Sequence, residues 1–399
     1  MVCSRCFAIH AGPWLHFQMT FANGRSDLRF CLNALAAIDP YTATMISASI
    51  LVRVLHTPET VLRLVAAANT LFFASFLVVL LMAAGQAKAE AIACTGQNLM
   101  GEMPADTVKT IEAEAARTLN GEGRLWKLEK DGLKPSYLFG TMHLTGPRVI
   151  DLTPEARKAF DGSDIVVIET TEILNEVEAA KSLFAKPELT MFTDATTLTS
   201  LVKPEDKAAL EAGLKKRGIP LLAVNKMKPW MIAGLVALPA CELNRKKGGA
   251  PFLDIKLAKD AQAAGKELDG LETMVEQIGA MASLPVEFHV QSLVEAVKLG
   301  DRMDDVMETM VDLYVQGRIG MIMPFLKNVA PGTADTGGQY GNFEEVMITT
   351  RNKLMAERAE PILARGNVFI AVGGLHLPGD EGLVEKFRRA GYTVTAAGR

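Results

Sequence analysis

Asn367-Val-Phe-Ile-Ala-Val-Gly373 leaves this chain few folds to choose from. Its strand formers follow one another without the polar alternation of a half-solvated sheet, so both faces of the strand need apolar cover. Helices on either side of a mainly parallel sheet supply it. The run ends at a glycine and continues Gly374-Leu375-His376, and a second run has the same ending, where Ser136-Tyr-Leu-Phe-Gly140 leads into Thr141-Met142-His143. Having no Cβ, Gly140 and Gly373 let the backbone bend sharply out of a sheet and let a ligand come close.

The remaining pattern fits the same class. Thr153 and Pro154 open a helix that stops at Gly162, and Asp164 to Glu169 is a second buried strand. A helical insertion covers about 172–265, with Pro204 and Pro229 opening two of its helices, and a short third strand runs from Lys266 to Glu272. Helical periodicity returns from Thr273 to about Asn328, followed by a Gly-rich loop, Pro331 to Asn342. A helix over Phe343 to Ala364, the strand ending at Gly373, a helix over Glu381 to Ala390 and a strand from Tyr392 to Ala396 complete the chain. The expected fold class is α/β: a mixed, mainly parallel central sheet with a strand-end site and a large helical insertion, one domain over 92–399. A hydrophobic content of 49% over 399 residues is ample for its core.

The amino-terminal part reads differently. Leu71 to Ala84 is uncharged and apolar, preceded by Arg53 and Arg63 and followed by the small-x-small pattern Ala87-Lys-Ala89. Residues 61–91 therefore admit two readings, a signal peptide cut near Ala89 or Ala91, or a membrane anchor over 61–84, which is just long enough for the about 20 residues a bilayer needs. Both make the protein exported, periplasmic or held at the membrane. Residues 1–60 have no regular apolar period and read as a leader added by start-site choice, with Met45 the alternative start. Past the cleavage point Cys94 and Cys241 remain, and an even count in an oxidising compartment invites one disulfide. A net charge of -4, with no basic run interleaved with aromatics, points away from nucleic acid.

Only His143, His289 and His376 follow the cleavage point. Two of them stand three residues after a glycine at the carboxyl end of an expected strand, where open α/β sheets bind ligands. Glu169 and Glu272 end the other two strands, so four strand ends bring two imidazoles and two carboxylates to one edge. Imidazole with carboxylate suits a divalent transition metal such as Zn, Mn or Co, and an open coordination position there suits hydrolysis. A histidine satisfied by backbone carbonyls is the alternative for either motif taken alone, and Glu272 also reads as an acidic helix start. Arg351-Asn352 reads either as a clamp for a substrate anion or as an ion-paired face. His289, in a helical apolar setting, reads as structural.

Taken together, Tyr137-Leu-Phe-Gly140-Thr-Met-His143, Glu169, Lys228-Pro229-Trp230, Gly270-Leu-Glu272-Thr with Glu276-Gln277, Arg351-Asn352 and Gly373-Gly-Leu-His376 resemble the TraB/GumN family, which is similar to the TIKI metalloproteases. The resemblance covers about Leu125 to Arg399. It implies a metal-dependent, peptidase-like hydrolytic site in which His143, His376 and Glu169 hold the metal or act on water. Gly140, Gly373, Glu272, Gln277, Arg351 and Asn352 then support the site or touch a peptide or small-molecule substrate. A more distant likeness to ChaN-like folds leaves a second function open, a haem- or metal-binding envelope protein without turnover.

Overall fold

The structure, a computed structural model, describes residues 94–329 and 339–398. The leader and the apolar 61–91 segment lie outside the described residues, as does most of the expected Gly-rich loop, while its last part is helical within Gln339–Glu344. Among the described residues no helix is long and apolar enough to cross a membrane.

The principal elements are α1 (Ala105–Ala115), β1 (Leu125–Glu129), β2 (Ser136–Thr141), α2 (Pro154–Gly162), β3 (Ile165–Ile168), α3 (Pro204–Lys216), α4 (Pro229–Ala237), α5 (Ala240–Lys247), α6 (Leu253–Ala263), β4 (Glu267–Gly270), α7 (Met274–Ser283), α8 (Val286–Leu299), α9 (Arg302–Val315), α10 (Thr350–Leu363), β5 (Val368–Gly373), α11 (Leu383–Arg389) and β6 (Thr393–Gly398). The strands form one six-stranded sheet in the order β4-β3-β5-β2-β1-β6. The pairs β4-β3, β3-β5 and β5-β2 are parallel, whereas β2-β1 and β1-β6 are antiparallel.

Alternation along the central strands divides two cores. Val368, Ile370 and Val372 of β5, with Ile165 and Val167 of β3, pack against Met355 and Leu363 of α10 and Phe387 of α11. Phe369, Ala371, Val166 and Ile168 face the other way, onto Phe160 of α2, Leu257 of α6 and Tyr314 of α9. Helices therefore cover both faces, as the unbroken apolar runs require. The helices between β3 and β4 have a core of their own, where Leu210 and Leu214 of α3 and Ile232 and Val236 of α4 meet Leu293, Val294 and Val297 of α8. The insertion thus shares its apolar face with a helix that follows β4 in sequence. Cys94 and Cys241 are joined by a disulfide, Cα to Cα 5.3 Å, across a separation of 147 residues.

Three departures from the sequence reading have local causes. Strand β1 was not expected, because Leu-Trp-Lys-Leu-Glu carries two charges in five residues. Leu125, Trp126 and Leu128 are nonetheless buried while Lys127 and Glu129 pair with each other on the more open face. The third strand ends at Gly270, so Glu272 lies beyond it, held where its N–H donates to Glu169 O at 2.7 Å. The helix expected from Phe343 begins earlier and includes a π-helical segment, Glu345–Thr349, before α10.

Gly140, inside β2 rather than at a bend, is required by a close approach. A Cβ there would meet Gly374 Cα at 3.0 Å and Leu377 Cδ2 at 3.1 Å. Its N–H donates to Arg124 O at 2.8 Å and its carbonyl accepts from buried Tyr314 Oη at 2.9 Å, so the backbone has little room to yield. Gly140→Ala is expected to cost about 1–3 kcal/mol, read as a lower denaturant midpoint at unchanged slope; an unchanged midpoint would show that the approach of the two segments is not tight.

Candidate active site

The parallel strands β4, β3, β5 and β2 finish at the same edge, with Ile168 beside Ala371 and Gly270, and Thr141 beside Gly373. One to three residues further on, the chain delivers Glu272, Glu169, His376 and His143 in that spatial order. Gly373 marks the convergence. A Cβ built on it would lie 3.1 Å from Glu169 Oε1, 3.5 Å from His376 Cδ2 and 4.0 Å from His143 Nε2. The second glycine is therefore needed because a side chain would project among these three groups.

Glu169 is 7% exposed, and its charge is met from three directions. Oε1 accepts from Gly373 N at 2.7 Å, and Oε2 accepts from Arg351 Nη2 and Gln277 Nε2, each at 2.8 Å. Burial alone would raise its pKa, but His376, His143, Arg351 and the Gly373 N–H outweigh burial and hold it down to about 2. Glu272, also buried, accepts from Arg351 Nε at 3.0 Å, from Arg351 Nη2 at 2.7 Å and from Gln277 Nε2 at 3.2 Å. One guanidinium thus stands between two buried carboxylates. Its remaining Nη1 donates to Met347 O in the π-helical segment that precedes α10, a widened turn of the kind found at functional sites. The donors that a substrate clamp would require are engaged with the protein.

The two imidazoles are anchored in the same way by different partners. His376 is 5% exposed, and its Nδ1 lies 2.7 Å from Asn352 Oδ1. Because Asn352 Nδ2 donates to the carbonyls of His376 (3.2 Å) and Glu381 (2.9 Å), the oxygen is the atom facing the ring. Nδ1 therefore carries the proton and Nε2 keeps its lone pair. Nε2 stands 3.8 Å from Glu169 Oε1. Burial pushes the His376 pKa down to about 4, with Arg351 and His143 adding to it, so the ring is neutral near pH 7. His143 Nδ1 lies 2.9 Å from Asp254 Oδ2, and Asp254 Oδ1 accepts from Thr141 Oγ1 at 2.7 Å. The Phe252 ring meets His143 edge-on at 5.5 Å. The Asp254 carboxylate raises the His143 pKa to about 9. The His143 side chain is 56% exposed, so the site is open at this end and closed at His376.

Asp254 and its donor Thr141 were missed in the sequence. Asp254 sits in the first turn of α6, where an acidic residue is already explained by the helix dipole. Only the packing of α6 against β3 and β4, which brings Asp254 to Thr141 and His143, gives it a second purpose. His289 is a core residue, its Nε2 2.9 Å from Met281 O and its pKa lowered by burial.

Two imidazoles, each tied to the protein through Nδ1, and one ionised carboxylate form a donor set that suits a divalent transition metal once His143 gives up its second proton. Among the described residues, however, no group of three or more His, Cys, Asp or Glu side chains is drawn together closely enough to hold a metal ion. The donor chemistry fits; the spacing is that of side chains still held by hydrogen bonds.

This is a mixed α/β domain that gathers two histidines and two carboxylates at the carboxyl edge of its sheet. The chain belongs to the TraB/PrgY/gumN family, whose sequence profile matches residues 124–396. It is 25% identical over 322 residues to metalloprotease TIKI1 of Danio rerio, covering 69% of this chain and 63% of that protein. Metalloprotease TIKI1 of Xenopus tropicalis is 24% identical with 69% and 62% covered, and metalloprotease TIKI2 of Danio rerio 25% identical with 68% and 60% covered. The chain thus spans somewhat under two thirds of the length of these relatives. No solved structure matches.

Two outcomes follow from the electrostatics. Asp254→Asn should lower the His143 pKa in metal-free protein by at least about one unit, read by NMR titration. Since the folded value lies above the ordinary 6.5, the tie stabilises fully below pH 6.5 and is lost as pH rises through about 9, and the variant should lose that dependence. Arg351→Met leaves two buried carboxylates facing each other and should cost about 3–5 kcal/mol near neutral pH, less in acid; a cost under about 1 kcal/mol would mean that the pair is solvated.

Proposed function

We propose that this protein is an exported metal-dependent hydrolase acting on a peptide or similar amide bond. The observation that carries the reading is that both His143 and His376 have Nδ1 tied to a protein acceptor, with His376 Nε2 3.8 Å from the ionised Glu169 and with His143 Nε2 and Glu169 Oε1 both beside Gly373. Likeness to proteins named metalloproteases supports both the reaction class and the substrate class. Export is supported by the Cys94–Cys241 disulfide, a bond that persists in oxidising compartments, and by the apolar 61–91 segment.

His143, His376 and Glu169 would hold the metal, Zn, Mn or Co, which when bound supplies Lewis acidity toward a substrate carbonyl. Asp254 and Asn352 fix the ring orientations through Nδ1, the arrangement in which outer partners set tautomer and basicity. Glu169, held near pKa 2 against its burial by His376, His143, Arg351 and the Gly373 N–H, is a weak Brønsted base. Its part is to keep a negative charge between the imidazoles. Arg351 keeps Glu169 and Glu272 in place. Substrate enters beside His143, where the site is open.

Purified protein should carry close to one equivalent of divalent transition metal, and His143→Ala and His376→Ala should each lose most of it. Hydrolysis of a peptide mixture should fall in both by more than the roughly 10–100-fold that loss of an outer partner costs. Stoichiometric metal that neither substitution reduces would overturn the assignment. Metal retained by those histidines with no peptide hydrolysed would leave a binding protein in place of an enzyme.

A further inference from the structure

The loop that follows His143 is fastened by a buried cluster that the proposed hydrolysis does not use. Glu242, in the first turn of α5 and 3% exposed, accepts through Oε2 from Thr145 N at 2.9 Å and Thr145 Oγ1 at 2.6 Å. Its Oε1 accepts from Arg245 Nη2 at 2.7 Å. Arg245 Nε donates in turn to Thr145 Oγ1 at 3.1 Å, and Nη2 reaches Cys94 Sγ at 2.9 Å. Thr145 is 2% exposed and stands two residues after His143. The residue before Glu242 is Cys241, bonded to Cys94.

A buried carboxylate that receives a backbone N–H, a hydroxyl and a guanidinium costs much less than an unpaired one, and it pins whatever supplies those donors. Here the N–H and the hydroxyl belong to the loop carrying His143, and the carboxylate and the guanidinium to α5 of the helical insertion. His143 is itself open to solvent, and its ring is otherwise held by Asp254 and the edge of Phe252. Side chains in a functional constellation need support to within a fraction of an ångström, and a half-exposed ring on a post-strand loop lacks it without such a clamp.

We propose that Glu242 is a positioning residue for His143, and that the Cys94–Cys241 disulfide anchors the helix from which it acts. This deepens the reading of His143 as a metal-facing side chain and rests on it for its functional meaning.

The test uses the full chain labelled with 15N-histidine and stripped of metal, with the His143 ring resonances identified by their loss in His143→Ala. In Glu242→Gln these resonances move and broaden while those of His289 and His376 stay in place. The double substitution Cys94→Ser with Cys241→Ser moves the same resonances, and Thr145→Ser, which keeps the hydroxyl, leaves them at their original positions. Zn2+ added alone binds about tenfold more weakly to Glu242→Gln, by chelator competition. A cooperative thermal melt establishes that each variant is folded; should Glu242→Gln fail it, Thr145→Val removes the hydroxyl end of the same contact. Unmoved His143 resonances in a folded variant, or equal movement of all three histidines, overturn the proposal. Failure of the unsubstituted protein to bind Zn2+ counts against the metal reading alone, because the ring resonances are read without metal.

Discussion

Everything at the carboxyl edge of this sheet depends on one arrangement of charge, the Arg351 guanidinium placed between the buried carboxylates of Glu169 and Glu272. Burial works against the charge on Glu169, and Arg351 is one of the groups that hold its pKa down. With it, Glu169 stays charged and can grip the Gly373 N–H, which seats the start of the Gly374–His376 turn against β3. The same contact ties three neighbouring strand ends together: β4 through Glu272, β3 through Glu169 and β5 through Gly373.

Around that centre the division of labour is regular. The sheet supplies the groups that face the crevice, and the helices supply the groups that hold them. Asp254 comes from the first turn of α6, Gln277 from the first turn of α7, and Arg351 and Asn352 from the turn after the π-helical segment. First turns are suited to this, because their side chains lean over the end of the neighbouring strand and the helix dipole favours negative charge nearby. Rigid supports from several elements are also what metal and catalytic sites require of their surroundings.

Much of this was legible in the sequence, for identifiable reasons. The strands ending at Gly140 and Gly373 announce themselves because they are apolar on both faces and end in residues with a sterically unique role. Glu169 and Glu272 could be grouped with the histidines because strand ends in a parallel sheet share an edge. Two helix starts between β3 and β4 were legible in Pro204 and Pro229, which open α3 and α4. Strand β1 was hidden because its charges, Lys127 and Glu129, satisfy each other on one face and so disguise the buried Leu125, Trp126 and Leu128. Asp254, Thr141 and Glu242 were hidden for a different reason. Each is an ordinary residue for its local setting, and each acquires its role from a partner about a hundred residues away.

The Gly-x-x-His endings and the central strands β3 and β5 were thus legible in the sequence alone, because strand burial and glycine's freedom are local properties, while the cysteine count only invited the pairing that the tertiary structure makes. Tertiary structure decided which nitrogen of each histidine is tied to the protein, Nδ1 in both, since Asp254 and Asn352 reach it from α6 and α10. It also turned Arg351 from a candidate substrate clamp into the counter-charge of two carboxylates. Those outcomes depend on distances between elements that only packing brings together, and no spacing along the chain encodes them.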